Sequence, residues 1–243
     1  MGTKPIAVFD LDGTFVRSSL LIEIVRGLIR EGVFPPLAAR ELEALHRAWQ
    51  ERKGTYQDYI MKVIEVFYRR IRGQQVHDVE EVGRIVAAEQ RDQVYVYTRS
   101  LIERCRATHH LVAITGSPDA VANPFAKLWG FARVYASNLG AAGGEYTGER
   151  DPPMKVAVDI SDFKRGLLRR ALEELDATMA GSVGIGDTES DIAFLETVAE
   201  PIAFNANIHL ARIALARRWN MVYERKDTIV HLRGNGVYSI EGI

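Results

Sequence analysis

With 243 residues, 47% of them hydrophobic, the chain can bury a full core as one large domain or as a domain carrying an insertion. Its 31 Lys and Arg nearly cancel its 32 Asp and Glu, which excludes the broad basic footprint of a nucleic-acid binder. A single cysteine, Cys105, excludes an internal disulfide and a cysteine-type metal cluster, and no apolar run approaches the roughly 20 residues of a membrane helix. The expectation is a soluble protein of a reducing cytoplasm, with no secretory signal in residues 1–30, where Asp10 and Asp12 interrupt the apolar stretch.

The apolar run Ile6-Ala7-Val8-Phe9 reads as a buried strand that ends in Asp10-Leu11-Asp12-Gly13-Thr14. Alternation along a strand aims Asp10 and Asp12 the same way while extended geometry lasts, and Gly13 then lets the chain turn. The arrangement suits metal-dependent phosphoryl transfer; the plainer alternative is a strand running into an Asp-Gly turn. Residues 18–90 read as helix throughout. Ser18 or Ser19 is expected to cap a first helix through Ile29, and Leu37–Glu51 makes a second. After Gly54 a third shows Tyr56, Tyr59, Ile60, Val63, Ile64, Phe67 and Ile71 at three- and four-residue spacings, and Val79–Glu89 completes a four-helix bundle. For Tyr56 and Tyr59 bundle packing is the simpler reading and ligand contact the sharper one.

After Arg91 strands and helices alternate: helix Thr98–Ala107, strand Leu111–Ile114, helix Asp119–Trp129 and strand Val134–Ala136. A hairpin over residues 138–151, a helix Phe163–Leu175, a strand Val183–Gly186, a helix through Leu195, a strand Pro201–Phe204 and a last helix and strand near Ile208–Tyr223 follow. The fold class is therefore α/β: a Rossmann-like three-layer core with a parallel sheet, formed by residues 1–15 and 92–243, interrupted by an all-α four-helix-bundle cap at 16–91.

Open parallel sheets bind ligands beyond the carboxyl ends of their strands, and two more of these ends carry polar groups. Leu111–Ile114 runs into Thr115-Gly116-Ser117-Pro118, which offers a hydroxyl, a glycine amide and a helix start with Pro118 at its first position, fit for an anion, or else a simple helix cap at Ser117. Val183–Gly186 runs into Asp187-Thr188-Glu189-Ser190-Asp191, whose two acids, one helical turn apart, can share a cation or decorate a solvated first turn. Mg²⁺, which prefers oxygen ligands and keeps waters beside a substrate phosphate, suits Asp10 and Asp187. Lys164 opens the helix before that strand. Asn205 and Asn207 are read as capping groups.

These residues together resemble the haloacid dehalogenase-like phosphohydrolase superfamily, and within it the phosphoserine phosphatase-like group with a helical cap after the first motif. Asp10-Leu11-Asp12-Gly13-Thr14, Thr115, Lys164 and Gly186-Asp187-Thr188-Glu189-Ser190-Asp191 match its four motifs in order. The resemblance implies a phosphoric monoester hydrolase in which Asp10 is the nucleophile that forms an aspartyl-phosphate. Asp12 is then the acid and base, and Lys164 a catalytic cation. It further implies Mg²⁺ held by the Asp10 and Asp187 carboxylates and the Asp12 carbonyl, with Asp191 ordering its outer shell. Thr115 and Gly116 would hold the phosphoryl oxygens, and Gly13, Thr14, Ser19, Tyr56 and Ser190 are the further candidates for substrate contact. Arg17 and Ser18 are candidates for the mouth of the site.

The chain departs from phosphoserine phosphatases at two substrate positions. Ser19 stands where these enzymes typically carry a glutamate for the serine ammonium, and Met61, beside Lys62, falls near their carboxylate-binding arginine. The expected partner is a small phosphorylated metabolite, the two departures weighing against phosphoserine, with no nucleic acid, no membrane and no assignment of oligomeric state. Transfer of the phosphoryl group to an acceptor alcohol is a variant of the same chemistry. A phospho-accepting signalling domain is the alternative from another class, with Asp12 and the cap against it, and complete motifs weigh against an inactive scaffold.

Overall fold

The computed structural model describes residues 3–151 and 160–243, the side chains of 160–163 excepted. In chain order, strand β1 (Pro5–Phe9) is followed by four helices, α1 (Leu20–Arg30), α2 (Leu37–Gln50), α3 (Tyr56–Ile71) and α4 (Val76–Gln90). Next come α5 (Val96–Arg106), β2 (His110–Pro118), α6 (Asp119–Trp129) and β3 (Arg133–Ser137), then a hairpin of β4 (Leu139–Ala142) and β5 (Glu145–Arg150). The remainder is α7 (Ile160–Glu174), β6 (Thr178–Gly186), α8 (Ile192–Leu195), β7 (Glu200–Phe204), α9 (Ile208–Arg217), β8 (Asn220–Arg225), β9 (Thr228–Leu232) and β10 (Tyr238–Gly242).

Eight strands form one sheet in the order β10-β9-β8-β7-β6-β1-β2-β3, parallel from β8 to β3. Strand β1 lies between β2 and β6, so the chain winds first to one side and then to the other, and the crevice at that switch point is where open sheets place ligands. Helices cover both faces because the central strands are apolar on both. Ala7 and Phe9 face one hydrophobic cluster and Ile6 and Val8 the other, as strand alternation requires. The first cluster runs without interruption from the sheet through α6 into α1, α3 and α4; the second lies beneath α7, α8 and α9.

The helical block between β1 and α5 is fastened in two places. Helix α4 crosses α6 at Gly83, where an added Cβ would stand 2.0 Å from the Ala120 carbonyl oxygen. The β4–β5 hairpin is laced to the α3–α4 loop by Gly73 N–H to Tyr146 O (2.8 Å), Tyr146 N–H to Gln74 O (2.9 Å) and Val76 N–H to Gly144 O (2.9 Å).

The sheet is larger and less uniform than the sequence pattern implies, since β9 and β10 extend it with antiparallel pairs. Strand β2 runs on through Thr115 to Pro118, so Thr115, Gly116 and Ser117 sit on the strand's irregular last rungs rather than in a free loop, and Pro118 flanks α6 instead of opening it. The expected helix after Asp187 is a 3-10 turn over Glu189–Asp191 leading into one turn of α8. No helix among the described residues is long and apolar enough to cross a membrane.

Candidate active site

Three adjacent strands deliver the polar groups. Asp10 continues the pairing of β1, its N–H donating to the Ile185 carbonyl (3.0 Å), so its carboxylate is carried on the last rung of the buried sheet, 5% exposed. The chain then curls around the Leu11 carbonyl, which accepts from Thr14, Phe15 and Val16 N–H groups at 3.3, 2.9 and 2.8 Å. Gly13 takes φ +78°, and a Cβ there would meet Asp187 Oδ2 at 2.3 Å, so only glycine permits this turn to lie against the neighbouring loop.

The turn brings Asp12 back toward the site, where its carboxylate accepts three hydrogen bonds: Leu20 N–H (2.5 Å), Thr115 Oγ1 (2.7 Å) and Ser117 Oγ (2.8 Å). The amino end of α1 is therefore not satisfied by Ser19, whose side chain makes no capping bond; Leu20 N–H goes to Asp12 and Leu21 N–H to Ser117 Oγ at 2.9 Å. A serine on the sheet and a catalytic candidate thus fix the entry of the helical block.

Lys164, 7% exposed, stands between two carboxylates, 2.6 Å from Asp191 Oδ1 and 3.4 Å from Asp10 Oδ1. The other oxygen of the fully buried Asp191 accepts the N–H groups of Asp187 (3.0 Å) and Thr188 (3.1 Å), so Asp191 shapes the loop that presents Asp187. Burial opposes the charge on Lys164, but Asp191 and Asp10 more than offset it and hold the ammonium above the usual lysine range. For Asp10, burial and then the charge of Asp191 push the carboxyl well above its ordinary range, against the pull of Lys164. Asp187 is likewise raised, by burial first and by Asp10 next.

Among the described residues, Asp10, Asp187 and Asp191 each bring one carboxylate oxygen within 4.8 Å of the others, and Lys164 pairs with two of the three. Hard oxygen donors at this spacing fit a divalent cation.

A cavity of about 1230 Å³ opens over the strand ends. Asp10, Asp12, Gly13, Ser19, Tyr56, Thr115, Gly116, Lys164, Asp187 and Ser190 all line it, with Arg17 and Ser18; Thr14 and Asp191 are buried behind the wall, and Met61 lies exposed on α3, away from it. Asn207 caps α9 by accepting Leu210 N–H (2.9 Å), whereas Asn205, at φ +44°, accepts Glu224 N–H (2.9 Å) and ties β7 to β8 instead of capping a helix. Sequence reasoning did not single out His46 and Arg26, which with Trp49 complete the wall from α1 and α2. The available signal was the aromatic run His46, Trp49, Tyr56, Tyr59.

The family model for haloacid dehalogenase-like hydrolases matches residues 7–196, and the chain belongs to that family of hydrolases. A search of the curated proteins finds no significant match. Among solved structures, a protein of unknown function from Bordetella pertussis Tohama I is similar over 90% of this chain and 98% of its own, at 20% identity and a TM-score of 0.71. A phospho-aspartyl intermediate analogue of phosphoserine phosphatase is similar over 87% of this chain and 91% of its own, at 18% identity and TM-score 0.56. A hydrolase of this family from Salmonella enterica subsp. enterica serovar Typhi is similar over 86% of this chain and 66% of its own, at 16% identity and TM-score 0.57.

Proposed function

We propose that the protein is a Mg²⁺-dependent phosphomonoesterase that hydrolyses a small phosphorylated metabolite through an aspartyl-phosphate. The observation that carries this reading is the convergence of Asp10, Asp12, Thr115, Lys164 and Asp187 on one cavity at the ends of three neighbouring strands. Asp10 and Asp187, with the Asp12 carbonyl, would hold the ion, and Asp191 would stand behind it. When bound, Mg²⁺ neutralises phosphoryl oxygens and lets Asp10 stay ionised at neutral pH.

Asp10 is the nucleophile of choice because its carboxylate is held at a strand terminus, where it can attack in line without reorganising. Lys164 orients it and places positive charge where the equatorial oxygens gather it. Thr115, released from Asp12, and the Gly116 amide supply further donors to those oxygens. Asp12, two residues on, gives a proton to the leaving alcohol and takes one from the water that resolves the intermediate. Helices α1–α4, within residues 16–91, act as the cap that keeps bulk water from the site. The single buried Cys105 supports a reducing, cytoplasmic setting.

The test is phosphate release from a panel of phosphomonoesters with Mg²⁺ and with chelator, beside Asp10→Asn. Release that requires both the ion and Asp10 is expected. Full turnover by a folded Asp10→Asn protein would overturn the nucleophile assignment, and stoichiometric, long-lived labelling without release would favour a phospho-accepting switch.

A further inference from the structure

The cavity has two walls of opposite chemistry. The floor on the sheet is charged; the wall from α1–α3 carries Ile22, His46, Trp49, Tyr56, Tyr59 and Ile60, and none of its described residues is a carboxylate. Its rings form one surface. Trp49 and Tyr59 lie at 5.8 Å with planes 9° apart, Trp49 and Tyr56 at 5.2 Å, and His46 and Tyr59 at 5.0 Å. Tyr56 nonetheless keeps 42% of its surface exposed, so the aromatic patch is not consumed by bundle packing. The wall's cation, Arg26, is spoken for by Glu23 at 2.9 Å.

Beside this wall lies a second, half-open recess of about 200 Å³, lined by Val25, Ile29, Leu42 and Val63 with Glu43 at its edge, and sharing Ile22, Arg26, His46 and Tyr59 with the wall. On the main wall, where none of the described residues from α1–α3 is a carboxylate, an aminated leaving group would have to shed water without one to receive it.

We propose that the ester cleaved at Asp10 carries an uncharged leaving group with a planar ring, which stacks on Trp49 and Tyr56. This rests on the phosphomonoesterase reading. Ring-on-ring contact in this wall supplies binding that a small polar alcohol cannot.

The test uses esters of alcohols with similar intrinsic reactivity: ethyl phosphate, 2-phenylethyl phosphate, 2-aminoethyl phosphate and phosphoserine. With Mg²⁺, kcat/KM for 2-phenylethyl phosphate should exceed that for each of the others at least tenfold. Trp49→Ala and the milder Tyr56→Leu should bring its ratio to ethyl phosphate within about threefold, mainly through KM, and Trp49→Phe should restore it. Calorimetric binding of 3-phenylpropylphosphonate against propylphosphonate reads the same preference without turnover. Turnover with no ring preference, or a preference for the amine, overturns the inference and leaves the phosphatase reading standing. Ring-selective binding of the phosphonates with no hydrolysis of any ester overturns the phosphatase reading and leaves only the wall's preference for a planar ring, and neither binding preference nor hydrolysis overturns both.

Discussion

Removing the divalent cation should change stability in a way that depends on pH, because the folded protein holds Asp10 and Asp187 as reluctant acids. Both carboxyls sit above their unfolded range near 4, so between that range and their folded values the native state binds more protons than the unfolded one. Stability of the metal-free protein therefore falls as pH rises through this window. An ion that binds only the ionised pair acts oppositely, and its affinity weakens about tenfold for each unit of pH lowered per proton displaced. With ion at about 100 times its Kd at pH 7.5, linkage contributes about 2.7 kcal/mol, or roughly 5–11 °C in Tm for a chain of this size. At pH 5.5, with one proton displaced, Kd approaches the ion concentration and the contribution falls to about 0.4 kcal/mol. Thermal unfolding by circular dichroism with 10-fold steps of Mg²⁺ against chelator, at both pH values, measures this directly. A Tm increment that is the same at pH 5.5 and 7.5, or that grows on acidification, would refute the assignment of these carboxylates as a cation site.

Asp191→Ala should destabilise the fold by about 3–5 kcal/mol, since it takes from the buried Lys164 the nearer of its two carboxylates and leaves two backbone N–H groups without their acceptor, and urea unfolding would show it. Ser117→Ala removes a donor to Asp12 and the acceptor for Leu21 N–H, with an expected loss of about 1–2 kcal/mol and slower phosphate release; unchanged kinetics would detach Ser117 from Asp12. Gly83→Ala should cost about 1–3 kcal/mol in Tm measurements, because the new methyl meets the Ala120 carbonyl and α4 must lift from α6.

The strand ends were legible because two signals coincide there: a short apolar run and, at its exit, polar residues that no core would tolerate. Asp10, Thr115 and Asp187 all announce themselves this way. The helices of residues 18–90 were legible for another reason, their three- and four-residue periodicity. What stayed hidden depends on partners distant in sequence. Ser18 or Ser19 reads as the cap of α1, yet Asp12 and Ser117 do that work, the latter from the sheet in a pairing with Leu21 across 96 residues that no local rule encodes. Strands β9 and β10 were missed because Thr228, His231, Ser239 and Glu241 dilute the apolar pattern. Their neighbour β8 turns into β9 through Lys226-Asp227, with Lys226 at φ +55° in place of the Asn-Gly or Asp-Gly that signals a hairpin. Trp49 and His46 lie on a helix whose periodicity says which residues are buried, but not that one edge of that face overlooks a cavity.

The lacing of the β4–β5 hairpin to the α3–α4 loop, with the seating of α4 on α6, bears on how the molecule comes apart. A helical insertion that shares one hydrophobic cluster with the sheet and is backbone-bonded to a distant hairpin has no private core to retain when the rest melts. The two segments should exchange their amide hydrogens as a single cooperative unit and give one heat-absorption peak, whatever the linear order of the chain suggests. Helix α2, packed chiefly on α3, is left as the part freest to breathe on its own, and it carries Trp49 and His46 to the cavity's edge.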